Sequence, residues 1–275
     1  MRPKIAVATA ALCLLAVAST AAAVPKLQTA AAPQGYVPAD VAPPQPYGPA
    51  DFLVIEDVTP WGYASNEGVL SELGFRYHVV TTLGFAFYDL QAHGTKVIVV
   101  ASDQWTSSYR RLYWLRAKVA DFVYAGGVLV AHACDLGWHG GRWHSYPWIP
   151  GLLKHTTSFR QLLSQVQPWH PVLAHITDPQ LDYWSYSTHG YFTNLSSATS
   201  IIVGITGNPI GKPTYIEYPF GWGTVLATMQ PMEWRGGLHP EARWLMLKDE
   251  MQYAWSTSMP TITIGAQRLA APVRR

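Results

Sequence analysis

Short apolar runs alternate with amphipathic stretches along the first half of the folded region. Runs rich in Val, Ile and Leu, without polar interruption, are typical of strands that are covered on both faces of a sheet. Strands are predicted at residues 52–57, 75–81, 96–101 and 128–131, and helices at 66–74 and 107–124. Alternating strands and helices in this order predict a parallel sheet with helices on both sides.

The second half of the chain predicts an antiparallel extension of this sheet. Its strands are expected at residues 181–195, 200–205, 214–218 and 224–229, and a closing helix at 240–255. Residues 219–223, Pro-Phe-Gly-Trp-Gly, join the last two strands in a hairpin-like turn. The fold class that follows is α/β, with a mostly parallel sheet, helices on both faces and a late antiparallel hairpin.

The N-terminal pattern is that of a secretory signal peptide. Arg2 and Lys4 precede an apolar run at residues 5–18, and Ala21 and Ala23 have the spacing of a signal-peptidase site. Residues 1–23 are therefore expected to be removed, leaving a secreted or periplasmic protein. The alternative is an uncleaved anchor, but the run is Ala-rich and shorter than the roughly 20 residues of a spanning helix. No stable membrane anchor is expected.

A proline-rich segment separates the signal peptide from the folded part. Residues 24–50 contain seven prolines, which predicts an extended linker. One domain is expected at 51–258, followed by a C-terminal tail at 259–275. Without the signal peptide the chain has 17 basic and 17 acidic residues, and this balance argues against nucleic acid as a partner.

Three segments resemble a known superfamily. Residues 125–135, Ala-Gly-Gly-Val-Leu-Val-Ala-His-Ala-Cys-Asp, look like a turn of the trehalose-utilisation-like branch of the class I glutamine amidotransferase-like superfamily. Residues 213–227 resemble the late glycine hairpin of that superfamily, and residues 169–172 resemble its middle His-Pro segment. The resemblance covers about residues 51–255. It implies a flavodoxin-like sheet with a ligand cleft at the carboxyl ends of its strands.

The superfamily's enzymes use a cysteine on a tight strand-to-helix turn, activated by a His-Glu pair. The catalytic candidates in this chain are Cys134, His239 and Glu241. Cys134 lies two places beyond His132, where the strand should deliver the nucleophile, and bulky residues flank it. His239-Pro-Glu241 matches the signature of the pair, but it comes late after its strand and is equally suited to opening the last helix. The glutaminase nucleophile is therefore expected to be absent.

Enzymatic alternatives stay open at this point. The chain could be a hydrolase or amidotransferase relative that uses Cys134, or a carbohydrate-active enzyme that uses His132 and Asp135. His132, His139 and His144 also lie close to Asp135 in sequence, and imidazole with carboxylate suits zinc. The tight ligand spacings of zinc sites are missing, so no metal and no cofactor is predicted.

The most unusual segment is residues 137–148, a Gly- and Pro-containing loop with three tryptophans. Aromatic faces with a few fixed polar groups are the usual form of a small-molecule site, and carboxyl ends of parallel strands converge on one edge. A cleft for a small polar molecule or a carbohydrate is therefore predicted there, although these aromatics could instead simply pack over the sheet edge. Its predicted ligand-binding residues are Asp57, Asp103, Trp105, His132, Asp135, Trp138 and Trp143.

Overall fold

The computed structural model describes residues 48–207 and 209–260, so the predicted signal peptide, most of the linker and most of the tail lie outside the described residues. The strands are β1 (Phe52–Ile55), β2 (Tyr77–Val80), β3 (Val97–Val100), β4 (Val128–His132), β5 (Lys154–Arg160), β6 (Leu163–Gln165), β7 (Thr188–Thr193), β8 (Ser200–Ile205), β9 (Pro213–Phe220) and β10 (Gly223–Thr228). The α-helices are α1 (Ser65–Glu72), α2 (Thr82–Phe87), α3 (Thr106–Trp114), α4 (Arg116–Tyr124) and α5 (Pro240–Thr257).

Eight strands form one sheet in the spatial order β2-β1-β3-β4-β10-β9-β8-β6. The pairings from β2 through β1, β3 and β4 to β10 are parallel, whereas β10–β9, β9–β8 and β8–β6 are antiparallel. Strands β5 and β7 form a separate antiparallel pair. The predicted α/β class, with a mostly parallel sheet and a late antiparallel hairpin, is confirmed.

Helices cover both faces of the central strands. Strands β1, β3 and β4 are buried throughout. Because successive side chains of a strand point to opposite faces of the sheet, their residues belong to two hydrophobic clusters, one on each face. Val99 packs on one face in a cluster with Met246 of α5. Ile98 packs on the other face in a cluster with Phe122 of α4. Within the described residues, each helix is too short or too polar to span a membrane.

Two predicted elements differ from the structure. The helix expected at 107–124 is two helices, because the backbone of Leu115 leaves the α region at φ −92° and ψ 5°. The strand expected at 181–195 is confined to β7, because Tyr183 and Ser185 have φ of 59° and 68°, which a strand does not accommodate. Helix α2 and strands β5 and β6 were not predicted.

Candidate functional site

The loops that follow β1 and β3 are joined at the carboxyl edge of the sheet. The side-chain oxygen of Gln104, after β3, accepts hydrogen bonds from the backbone N–H groups of Asp57 at 2.7 Å and Val58 at 3.1 Å. The amide nitrogen of Gln104 donates to the carbonyl of Val58 at 2.9 Å. Gln104 therefore holds the loop after β1 against the loop after β3.

Asp103 links three loops through hydrogen bonds, and its own backbone has a strained left-handed conformation. It lies between β3 and α3 with φ +55°, and its side chain is fully buried. Its carboxylate accepts from the backbone N–H of Trp61 at 2.9 Å, after β1, and from that of His139 at 2.8 Å, after β4. Burial raises the pKa of Asp103, although these hydrogen bonds oppose the shift. Asp103 therefore has a structural role at the predicted cleft, because its carboxylate is engaged by protein donors.

His132, at the end of β4, lies between two buried glutamates. Its Nδ1 is 2.8 Å from Glu233 Oε1 and its Nε2 is 2.8 Å from Glu250 Oε2, and all three side chains are fully buried. Burial opposes a charge on the ring, but the two carboxylates outweigh it and raise the pKa of His132 to about 10. Both ring nitrogens of this imidazolium are therefore committed to the protein, and His132 fixes α5 and the segment after β10 against β4.

A second group of acids has polar atoms without a protein partner. Burial, reinforced by the charge of Glu67, raises the pKa of Glu56 well above its usual value, and burial also raises that of Glu67. Glu56 Oε2, Glu67 Oε2 and Asn66 Oδ1 are buried and accept no hydrogen bond from the rest of the protein, although the Glu56 and Glu67 carboxyl groups can hydrogen-bond each other when one is protonated. Asn66 Nδ2 lies 3.5 Å from Glu233 Oε1, so this group adjoins the His132 centre. The group gathers three unused polar oxygens beside the end of β1.

Aromatic rings are connected to Glu233 through Ser102. Trp61 donates from Nε1 to Ser102 Oγ at 2.8 Å, and Ser102 Oγ donates to Glu233 at 2.7 Å. The half-buried ring of Trp138 meets Trp61 edge-on, with 6.1 Å between centroids, and His189 contacts Trp61 at 5.5 Å. Burial lowers the pKa of His189 to about 4, so this ring is neutral at physiological pH.

The other predicted ligand-binding residues have different surroundings. Asp57 pairs with Arg111 at 2.7 Å. Trp105 is 45% exposed and meets His139 edge-on at 6.0 Å. Trp143 was predicted to line the cleft, but it is 1% exposed and its Nε1 donates to the carbonyl of Ala133 at 2.7 Å. That prediction needs correction, because the indole is used as core and has no open face.

The three catalytic candidates differ in their environments. Cys134 is fully buried, and burial raises the pKa of its thiol well above the usual value, with Asp135 adding to the shift. The next regular element after β4 is a strand, so Cys134 has no helix N-terminus behind it. His239 and Glu241 pair with each other at 3.4 Å at the start of α5, where the Glu241 side chain is 62% exposed.

Two histidines and one carboxylate form a compact group between the loop after β4 and strand β5. Asp135, His144 and His155 each offer one atom, and these atoms lie within 4.8 Å of one another. Asp135 and His144 were noted from the sequence, but His155 was not, because it comes from the unpredicted strand β5. His132 and His139 have other partners.

The residues that sequence reasoning missed lie mainly in α1 and in the segment after β10. Asn66 and Glu67 occupy the first turn of α1 and are buried, although both are polar. Glu233 lies 101 positions from its partner His132. The one available indication was the polar start of a helix that was predicted to pack on the sheet.

Comparisons of the sequence with known proteins found one relative and no family model. No protein-family model matches this sequence. An uncharacterized protein of Clostridium acetobutylicum is 29% identical over 185 residues, which are 66% of this chain and 18% of that protein. The chain therefore spans less than a fifth of the length of this relative.

Solved structures resemble the chain at low sequence identity. Two cytoplasmic proteins of Salmonella typhimurium align with 76% of the chain and with 99% and 98% of their own lengths, at TM-scores of 0.51 and 0.50 and identities of 10% and 14%. A glutamine amidotransferase of Thermotoga maritima is similar at a TM-score of 0.45 and 11% identity, covering 74% of this chain and 84% of its own. That last score is too low to carry an argument. The parallel strand order β2-β1-β3-β4-β10 is that of a flavodoxin-like sheet, so what is shown is a flavodoxin-like α/β fold.

Proposed function

We propose that this chain is an exported, glutamine amidotransferase-like domain that binds a small polar molecule or a carbohydrate at the carboxyl edge of its sheet and has no glutaminase activity. The observation that carries the proposal is the set of buried side-chain oxygens of Glu56, Asn66 and Glu67 without a partner elsewhere in the protein. This set is connected through Glu233 and Ser102 to Trp61, which contacts Trp138.

The unpartnered oxygens favour a ligand with several hydroxyl groups. A buried polar group without a hydrogen bond costs about 1–3 kcal/mol, so a ligand that donates to these oxygens recovers that free energy. Burial raises the pKa values of both Glu56 and Glu67, which favours their neutral forms and disfavours negative charge on this pair. A neutral polyol or sugar fits a site of this kind better than a strongly charged ligand does.

Trp138 supplies the apolar part of the proposed site. Its ring is half-buried against Trp61, so part of its surface is open to a ligand. Most small-molecule sites combine an aromatic wall with a few placed polar groups. A sugar ring could bury one face on Trp138 while its hydroxyl groups reach the acids at the end of β1.

The enzymatic alternatives receive no support from the environment of their residues. A nucleophilic cysteine needs an accessible thiolate, whereas Cys134 is buried and has a raised pKa. His132 has both nitrogens bound to glutamates and cannot accept a proton from a substrate. The proposal is therefore a binding function.

The test is a calorimetric screen of the chain against neutral monosaccharides, disaccharides and polyols. Trp138→Ala and Glu67→Gln are expected to weaken the binding of a hit about tenfold or more, because each removes roughly 1–3 kcal/mol of ligand contact. Matched controls are Trp114→Ala, an exposed tryptophan on α3, and Glu72→Gln, which pairs with Lys248 at the surface of α1. A ligand whose affinity is unchanged in both site variants, or a screen without any hit, would reject the proposed site.

A further inference from the structure

The cluster of Asp135, His144 and His155 combines three different chain segments. Asp135 follows β4, His144 lies in the tryptophan-rich loop, and His155 belongs to β5. The Nε2 atom of His155 is 3.1 Å from Asp135 Oδ2, and one nitrogen of His144 lies within 4.8 Å of both ligand atoms. The loop after β4 and strand β5 therefore bring these three side chains together.

Two members of the cluster are deeply buried and have unused polar atoms. The side chains of Asp135 and His155 are 0% and 1% exposed. Asp135 Oδ1 and His155 Nδ1 are both without a hydrogen-bond partner in the structure. Leaving Asp135 Oδ1 unsatisfied costs about 1–3 kcal/mol, and this oxygen belongs to the carboxylate that faces His155 Nε2, so a polar species bound at the cluster would recover that free energy.

Trp143 holds His155 in position. The two rings are stacked, with 4.2 Å between centroids and 29° between planes. The indole is itself fixed by its hydrogen bond to the carbonyl of Ala133. His155 therefore has a fixed ring plane, whereas His144 is exposed and can rotate towards Asp135.

One distance in the cluster, between two atoms that also form a hydrogen bond, matches a site for a divalent transition metal. Zinc binds imidazole nitrogen and carboxylate oxygen at about 2.0–2.2 Å, so two of its ligand atoms lie roughly 3.3 Å apart in a tetrahedral site. The 3.1 Å separation of His155 Nε2 and Asp135 Oδ2 is close to this value. Two imidazoles and a carboxylate favour zinc or a neighbouring transition metal over magnesium or calcium, which prefer oxygen ligands alone.

We propose that Asp135, His144 and His155 form a binding site for one Zn²⁺ ion or a similar divalent transition metal. The ion lies between the three side chains, and its remaining coordination position faces the exposed side at His144. This site does not rest on the proposed ligand-binding function, since it shares none of the unpartnered oxygens of Glu56, Asn66 and Glu67.

The experiment is a titration of the full chain, prepared without a polyhistidine tag, with Zn²⁺ by calorimetry and with Co²⁺ by visible absorption. One ion is expected to bind per chain, and bound Co²⁺ is expected to show the visible bands of a site with nitrogen ligands. His144→Ala should weaken binding about tenfold or more, because it removes one of three ligands, and should leave the fold intact because the side chain is exposed. His155→Gln should have an effect at least as large.

His175→Ala is the matched control. His175 is also exposed and pairs with one carboxylate, Asp249, at 2.9 Å. Among the residues that the structure describes, it belongs to no group of three potential metal ligands. Its removal should leave the affinity for Zn²⁺ unchanged. Absence of binding at micromolar Zn²⁺, or binding that His144→Ala does not weaken, overturns the proposal.

Discussion

The imidazole of His132 lies beyond the reach of solvent, with a glutamate at each of its nitrogens. Ser102 donates to Glu233 from its backbone N–H at 2.8 Å and from its hydroxyl at 2.7 Å, and the hydroxyl of Tyr215 donates to Glu250. Burial alone would raise the pKa of Glu233, yet the charge of His132 and these donors hold it below its usual value. The centre is an ionised network whose partners depend on one another.

Removal of His132 should therefore be strongly destabilising. His132→Ala leaves Glu233 and Glu250 buried without a counter-charge, and such a loss costs about 3–5 kcal/mol of unfolding free energy. His175→Ala, which removes an exposed partner of Asp249, should cost no more than about 1 kcal/mol. Urea unfolding of both variants at neutral pH distinguishes these outcomes, and equal costs would contradict the assignment of a buried ion network.

The same centre predicts how stability depends on pH. The pKa of His132 is about 10 in the folded chain and about 6.5 when unfolded, so its contribution is complete below pH 6.5 and disappears as the pH rises towards 10. The raised pKa values of Glu56 and Glu67 act in the same direction from lower pH. Urea midpoints measured across this window should fall steadily, and a flat profile would show that His132 is not protonated.

Cys134 provides a further test at the scale of one residue. Because its thiol is buried and its pKa is raised, we expect no release of ammonia from glutamine by this chain and slow reaction with iodoacetamide below pH 7. Ammonia release that disappears in Cys134→Ser would refute this and make His239 and Glu241 its catalytic partners.

Among the elements, β3 is one that we expect to tolerate a charge poorly. Val99 is fully buried, and β3 pairs with β1 on one side and β4 on the other. Val99→Asp places an unpaired carboxylate in the core at a cost of several kcal/mol and should abolish soluble expression. Val166→Asp, at a position that is 45% exposed, should express normally. Soluble yield and circular dichroism of the two variants decide the matter.

Elements with uniform burial were predictable, and elements with mixed surroundings were not. Strands β1, β3 and β4 carry unbroken apolar runs because both of their faces are covered. Strand β5 reads Lys-His-Thr-Thr-Ser-Phe-Arg and contains only one hydrophobic residue, so it lacks a hydrophobic pattern. The amphipathic spacing of α3 continues into α4, so periodicity alone does not reveal the break at Leu115.

The candidate site was predictable in its position and not in its contacts. Asp103 and His132 follow parallel strands, which is why the sequence places them at one edge of the sheet. Their structural role depends on hydrogen-bond partners that are distant in sequence, such as Glu250, 118 residues from His132. His155, the third member of the cluster with Asp135 and His144, was missed for a different reason, since it belongs to β5, whose sequence lacks a hydrophobic pattern.

At the scale of the whole molecule, the sequence predicts processing before the domain reaches its final location. N-terminal sequencing of the secreted or periplasmic form should begin at or near Val24, because Ala21 and Ala23 have the spacing that signal peptidase prefers. Recovery of the chain only with Met1 intact in membranes would contradict this expectation.

The two outer strands of the sheet bear on how the protein behaves when it is concentrated. An outer strand has backbone N–H and C=O groups free on one side, and a second molecule can pair with them and start aggregation. Here the outer strands are β2, with four residues, and β6, with three, whereas β9 in the interior has eight. Short outer strands offer little template for such pairing, so the eight-stranded sheet is poorly suited to grow from one molecule into the next.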